Sequence, residues 1–363
     1  MYRSDLSTEF AVRDLGNLNY FLGIEVIQHG GSIILSQRKY IAYLLKRTTM
    51  NGAKTVCTPL AANTKILRVG SNKFDNPTMY RFVVGALQYL HLTRPDIAVA
   101  VAKVCQYMHD PNEEHWELVK RILRYLKHTV EYGLAIRKST DLSLHAYSDS
   151  DWAGNLDDRL STSGYCVYFG GNLISWSARK QHTVSKSSTK AEYRGIAIAT
   201  SELVWIQSLL KELGIPVSTP SLWCDNLGAT YLTVNPVFHA RTKQIEIDYH
   251  FFRERVDNKQ LEVKFISSKD QIADIFTKVL ASPRFQYLRD NLNIRQLMLN
   301  LRGLLRIQQL KPISVALLAL ILYHASYQRI FPQSQFYDLY QRHDLCNISV
   351  IIIHVISSLF RLM

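Results

Sequence analysis

The chain has 363 residues, 47% of them hydrophobic, and carries 43 Lys and Arg against 30 Asp and Glu, for a formal charge of +13. That length suits two or three domains with a substantial core. Five scattered cysteines (Cys57, Cys105, Cys166, Cys224 and Cys346) form no C-x-x-C pair, which argues against a disulfide framework or a cysteine zinc site.

The opening Met1–Asp5 has no apolar run of the kind a signal peptide needs. An intracellular protein, cytoplasmic or nuclear and not secreted, is therefore expected. The charge is uneven. Residues 1–140 hold 19 Lys and Arg against 11 Asp and Glu, whereas residues 141–300 hold 18 against 17. A basic region ahead of a nearly neutral, carboxylate-rich one fits a nucleic-acid partner gripped by the first and cut by the second.

In chain order, Tyr20–Val26 and Ser32–Ser36 read as strands around a His29-Gly30-Gly31 turn. A helix is predicted from Arg38 to about Thr48, with Tyr40, Ile41, Leu44 and Leu45 on one face. One hairpin and one helix make a poor domain, so residues 1–60 read as a remnant whose sheet is not present in the chain. Residues 61–77 are polar and read as a linker.

Three helices are expected next, completing a segment 61–140. The first spans about Met79 to Leu92. The second opens with Thr93 as cap and Pro95 in its first turn. The third opens with Asp110 as cap and Pro111 at its first position. Trp116, Val119, Leu123 and Leu126 form the apolar stripe of the third helix. Lys120, Arg121, Arg124 and Lys127 lie on its remaining surface and, with Arg94, are candidate phosphate contacts; the plainer alternative is a solvated basic face.

From Ser143 the pattern is α/β. Strands are predicted at Leu144–Ser148, Gly164–Phe169, Leu173–Trp176, Leu222–Cys224 and Leu261–Ile266. A long helix runs from about Thr189 to Leu213 and stops at Gly214-Ile215-Pro216. A short helix follows Asp225-Asn226, and a last helix starts near Lys269. The expected fold is a mixed sheet with helices packed against it over residues 141–294. Residues 295–363 read as a tail of unknown fold. Its apolar runs, 312–323 and 349–360, fall short of the about 20 residues a membrane span requires, so no membrane partner is expected.

Four acids stand out: Asp149 at one strand end, Glu192 in the opening turn of the long helix, Asp225 at another strand end, and Asp274 at the start of the late helix. Such groups can converge on one point, where they repel unless cations bind between them. The natural occupants are hard divalent ions, two Mg²⁺ with Mn²⁺ as the alternative, as in a two-metal phosphodiester hydrolase. Asp151 is the rival to Asp149, because residues two apart on a strand face the same way; Trp152-Ala153-Gly154 reads as a loop and puts Asp151 past the strand. Asn226 either caps the following helix or meets a ribose.

The chain resembles the C-terminal part of the Pol polyprotein of copia-type LTR retrotransposons. Phe10-Ala-Val-Arg-Asp-Leu-Gly-Asn-Leu-Asn-Tyr-Phe-Leu-Gly-Ile-Glu25 resembles the end of the reverse transcriptase palm. Gly85-Ala-Leu-Gln-Tyr-Leu90, Thr93-Arg-Pro-Asp-Ile97, His115-Trp116 and Arg121-Ile-Leu-Arg-Tyr-Leu126 resemble its thumb and connection. Tyr147-Ser-Asp-Ser-Asp-Trp-Ala-Gly154, Ser161-Thr-Ser-Gly-Tyr165, Ile174-Ser-Trp176, Ala191-Glu-Tyr193, Cys224-Asp-Asn226 and Ala273-Asp-Ile-Phe-Thr-Lys278 resemble its ribonuclease H domain. The resemblance implies a ribonuclease H-like fold that hydrolyses the RNA strand of RNA·DNA hybrids, with Asp149, Glu192, Asp225 and Asp274 as metal ligands. It further implies Glu192 on the leaving-group side and Asp274 on the nucleophile side.

Some residues depart from that pattern. The polymerase's Tyr-X-Asp-Asp segment would lie upstream of residue 1, so polymerisation is not expected of this chain. Lys190 and Gln244 stand where the family carries Glu and His. No His lies between Val263 and Asp274, so no general acid is assigned. An integrase-type site, with carboxylates in the order Asp, Asp, Glu, is disfavoured because Glu192 comes second. The rival from another class is a nucleic-acid-binding relic without activity.

Overall fold

The computed structural model describes residues 19–297 apart from 22, 30, 63, 65, 66, 69, 71 and 235–251. Gln244, Cys346 and both apolar runs of the tail lie outside the described residues.

The first sheet is antiparallel. It contains β1 (Tyr20–Phe21), β2 (Ile24–His29), β3 (Ser32–Ser36), β4 (Tyr132–Arg137) and β10 (Ile294–Gln296), in the order β1-β2-β3-β4-β10. Val26 faces Leu35 across the hairpin, Ile34 faces Ala135, and Arg295 faces Gly133. The hairpin's sheet is thus supplied by this chain, which corrects the expectation that it is missing. Ile24, Val26, Ile33 and Leu35 are buried, two apart on each strand, so one face of the hairpin meets the core. On that core lies α1 (Arg38–Arg47), with Ile41, Leu44 and Leu45 buried.

Three helical pieces follow. The Asn76 carboxamide accepts from Met79 N at 2.9 Å and Pro77 sits at the first position of α2 (Pro77–Leu90). A 3₁₀ turn (Pro95–Ile97) leads into α3 (Ala98–Cys105). Thr93 does not cap it; its hydroxyl donates to Gln37 Oε1 at 2.8 Å. In α4 (Glu113–His128) the cap is Asn112, two residues later than expected. Asn112 Oδ1 accepts from His115 N at 2.9 Å, and His115 Nδ1 accepts from Asn112 N at 3.1 Å. Pro111 therefore precedes the cap, where its missing N–H costs nothing. Val119, Leu123 and Leu126 are buried as expected, and Trp116 stacks on Phe74 at 4.8 Å.

The second sheet has the order β7-β6-β5-β8-β9. β5 (Leu144–Asp151), β6 (Thr162–Phe169) and β7 (Asn172–Lys180) form an antiparallel meander, and β8 (Ser221–Cys224) and β9 (Glu262–Phe265) add in parallel beside β5. A parallel neighbour needs a crossover. The long α5 (Ser188–Glu212) supplies it between β7 and β8, and α6 (Leu227–Val234) follows β8. This is the expected mixed sheet with flanking helices.

The late helix expected from Lys269 is instead a 3₁₀ turn (Ile272–Phe276), followed by α7 (Ser282–Asn291), which leads back to β10 in the first sheet. One hydrophobic core runs through both sheets, joining Leu35, Leu87 and Leu126 to Leu144, Val167, Ile196 and Phe276. No helix among the described residues is long and apolar enough to cross a membrane.

Candidate metal centre

β5 and β8 are parallel neighbours, with Ser148 opposite Cys224. The next residue on each is an aspartate, so Asp149 and Asp225 leave the same end of the sheet side by side. Asp149 lies inside β5 and is 1% exposed; Asp225 is half-buried just past β8.

Two glycines bring the other acids in. Gly195 lies one turn after Glu192 on α5, and a Cβ there would come within 2.6 Å of Ser150 Oγ and 3.1 Å of Ser148 Oγ. Only glycine lets the helix press this closely on β5 and carry Glu192, 6% exposed, over Asp149. Gly164 faces Asp149 on β6, and a Cβ there would meet Phe276 Cβ at 2.5 Å. That absence of side chain seats the 3₁₀ turn carrying Asp274, 7% exposed, against the sheet. The buried Gln271 fixes the turn from the other side: its amide donates to Ser148 O at 2.9 Å and its Oε1 accepts from Ala273 N at 3.1 Å. Gln181 pins the start of α5, with Nε2 donating to Ser163 Oγ at 2.8 Å and to Ala191 O at 3.0 Å.

The four predicted acids therefore meet, as two overlapping groups. Asp149, Asp225 and Asp274 bring carboxylate oxygens within 4.8 Å of one another, and Glu192, Asp225 and the Cys224 thiol do the same. Their surroundings differ. Lys278 Nζ lies 3.1 Å from Asp149 Oδ1 and 2.6 Å from Asp274 Oδ1, and Arg284 Nη2 lies 3.3 Å from Asp274 Oδ2. The Thr277 hydroxyl donates to Asp149 Oδ2, and the Ser268 hydroxyl donates to Asp225 Oδ2 at 2.8 Å. Glu192 has the Cys224 thiol nearby, with Sγ 3.9 Å from Oε2, and accepts a backbone hydrogen bond from Ser150.

Burial raises the Glu192 carboxyl well above the usual range, and the charges of Asp149 and Asp225 add to it. Burial also raises Asp149, while Lys278 pulls it back. Burial works against the charged form of Lys278, but Asp149 and Asp274 outweigh it and hold the ammonium on. Buried hard oxygens with this much mutual repulsion fit a divalent cation.

β5 runs through Asp151, three residues further than expected. Asp151 nonetheless lies outside both acidic groups and feels the charges of Lys103 and, more weakly, Lys278. Asn226 caps: its Oδ1 accepts from Ala229 N at 2.9 Å. Lys190 is the third residue of α5, where its backbone N–H donates to the Ser187 cap at 3.3 Å.

The basic residues of the helical segment fare differently. Arg94 is fully buried, so its reading as a phosphate contact is withdrawn. Its guanidinium grips Asp96 at 2.8 and 2.9 Å and Thr129 O at 3.0 Å. Arg121 donates to Thr58 Oγ1 at 3.0 Å, Arg124 to Lys54 O at 2.6 Å and Lys127 to Ala53 O at 2.8 Å, while Lys120 pairs with Glu117. Three of the four thus pin the 53–58 segment to α4.

Sequence reasoning missed Thr277, Lys278, Ser268, Gln271, Arg284, Gln181 and the two glycines. The spacing of Asp274 and Lys278, four residues apart, was the available signal for one of them.

The family model "Reverse transcriptase (RNA-dependent DNA polymerase)" matches residues 1–62. The Retrovirus-related Pol polyprotein from transposon RE2 of Arabidopsis thaliana is 49% identical over 303 residues, covering 83% of this chain and 21% of its own length. The chain therefore spans about a fifth of that relative. An uncharacterized mitochondrial protein of A. thaliana is 47% identical over 200 residues, covering 55% of this chain and 83% of its own. Among solved structures, an N-terminal RNase H domain from Mycobacterium tuberculosis matches 41% of this chain and 97% of its own, with a TM-score of 0.30 and 11% identity.

Proposed function

Since the chain belongs to the copia-type retrotransposon Pol polyproteins, we propose that its second sheet is a ribonuclease H that hydrolyses the RNA strand of RNA·DNA hybrids. The observation that carries this reading is the meeting of Asp149, Glu192, Asp225 and Asp274, delivered by two adjacent parallel strands, a helix and a 3₁₀ turn. We assign residues 141–294 as the catalytic unit, 61–140 as a thumb and connection segment, and 1–60 as the end of a reverse transcriptase palm.

Two divalent ions, Mg²⁺ by the hardness of the oxygens, would activate a water and stabilise the departing 3′ oxygen. Asp149 and Asp225 would be the shared ligands, with Glu192 on the leaving-group side and Asp274 on the nucleophile side. Thr277 and Ser268 orient the shared carboxylates by donating to their second oxygens. Burial of Asp149, Glu192 and Asp274 keeps bulk water from screening the charges. Selectivity for the RNA strand would rest on its 2′-hydroxyl. Lys120, Arg121, Arg124 and Lys127 remain proposed backbone contacts only through whatever donors their loop contacts leave over.

The test is cleavage of an end-labelled hybrid by the purified chain with Mg²⁺. Cleavage is expected, and Asp225→Asn should lower it by roughly two to three orders of magnitude. A folded chain that binds hybrid and does not cut it would overturn the reading in favour of a binding relic.

A further inference from the structure

We propose that Lys278 is a tethered cation that occupies the Asp149–Asp274 side of the centre, so that the two metal positions fill in a fixed order. The inference rests on the metal-dependent reading above. Its observation is an asymmetry. The Lys278 ammonium sits between Asp149 Oδ1 (3.1 Å) and Asp274 Oδ1 (2.6 Å), and Arg284 Nη2 stands 3.3 Å from the other Asp274 oxygen. Among the described residues, no ammonium or guanidinium forms an ion pair with Glu192 or Asp225.

An incoming ion meets the two sides on different terms. On the Glu192–Asp225 side it meets no ammonium or guanidinium among the described residues. On the Asp149–Asp274 side it must displace an ammonium whose attraction to two carboxylates it has to replace. Lys278 can leave: its side chain is 38% exposed and flexible. It also returns at no cost in concentration, because it lies four residues from Asp274 on the same turn. Arg284 is held elsewhere, with its guanidinium on Ser268 O at 3.0 Å and Gln271 O at 3.2 Å. Lys278 is therefore the group whose departure admits the second ion. The first position loads at low metal concentration and the second only when the ion outcompetes the lysine.

Mn²⁺ binding to the full chain, followed by the loss of the free-ion electron spin resonance signal, tests this without reference to activity. The wild type is expected to bind in two steps separated by at least about tenfold, ~1.4 kcal/mol. Lys278→Met should tighten the weaker step by at least about tenfold and leave the tighter step alone, while Lys278→Arg keeps the gap. Lys278→Gln, which retains a hydrogen-bond donor, serves if the Met variant does not fold. Asp274→Asn should remove the weaker step only. Two equal steps in the wild type, or unchanged isotherms in both neutral variants, overturn the ordering and leave the ribonuclease reading standing. A folded wild-type chain that binds no Mn²⁺ at millimolar concentration overturns both.

Discussion

The chain buries two clusters of charge, and they are built on opposite plans. In the helical segment, Arg94 and Asp96 are fully buried and satisfied: the guanidinium meets both Asp96 oxygens and Thr129, and Tyr125 donates to Asp96 Oδ2 at 2.6 Å. In the second sheet, four acids share one ammonium and one guanidinium among the described residues. The first cluster closes its own electrostatics and ties α4 to the chain before α3. The second leaves charge unbalanced at a strand edge. Burial of ions is strongly unfavourable without partners, so the unbalanced cluster is the one that asks for something from outside.

That contrast can be broken from either side. The largest effect is expected from Arg94→Met, which strands Asp96 in the core and should cost about 3–5 kcal/mol of stability, read as a fall in the denaturation midpoint. Next comes Asp225→Asn. It should lower hybrid cleavage by roughly two to three orders of magnitude, ~3–4 kcal/mol of barrier, while the metal-free chain melts no lower than the wild type. A variant of the second cluster that unfolds the chain as Arg94→Met does would erase the distinction. Gly195→Ala should cost about 1–3 kcal/mol through overpacking, with cleavage falling further than stability because α5 must lift Glu192 off β5.

The smallest effect is in pH, and its sign differs between the clusters. Asp149 and Glu192 have raised carboxyls, so their contribution is fully present below the unfolded carboxyl range and is lost as pH rises through their folded values. Burial opposes the Asp96 charge, but Arg94 outweighs it and holds that carboxyl down, so its contribution is present above the unfolded value and lost as pH falls. In chelator, the melting temperature of the wild type relative to Asp149→Asn should therefore fall between about pH 4 and pH 6. Excess Mg²⁺ should flatten that difference; a difference that rises with pH would contradict it.

The acids of the centre were legible in the sequence because each sits in a short local context, a strand end or a helix start. What holds them was not. Gly164 and Gly195 matter through atoms far away in the chain, Phe276 Cβ and Ser150 Oγ, and no local pattern announces such an approach. Arg94 misled for the same reason: its partners, the Tyr125 ring and Thr129, lie more than thirty residues on, so the sequence showed a basic residue and hid its burial. β4 and β10 were missed because β10 is three residues long and pairs with a strand more than 150 residues earlier. The cap of α4 slipped by two because Pro111 can stand either inside a helix or just before one.

The pairing of β10 with β4 also sets a timetable. A ribosome adding roughly 5–20 residues per second takes on the order of ten to thirty seconds to go from β4 to β10. Until then the outer edge of β4 has no strand to pair with, although everything from β1 to β4 has already been made. Long-range pairing of this kind folds late and exposes unpaired backbone meanwhile. Synthesis of this chain thus passes through an interval in which its first sheet is open to chaperones and to other nascent copies, and three residues near position 295 bring that interval to an end.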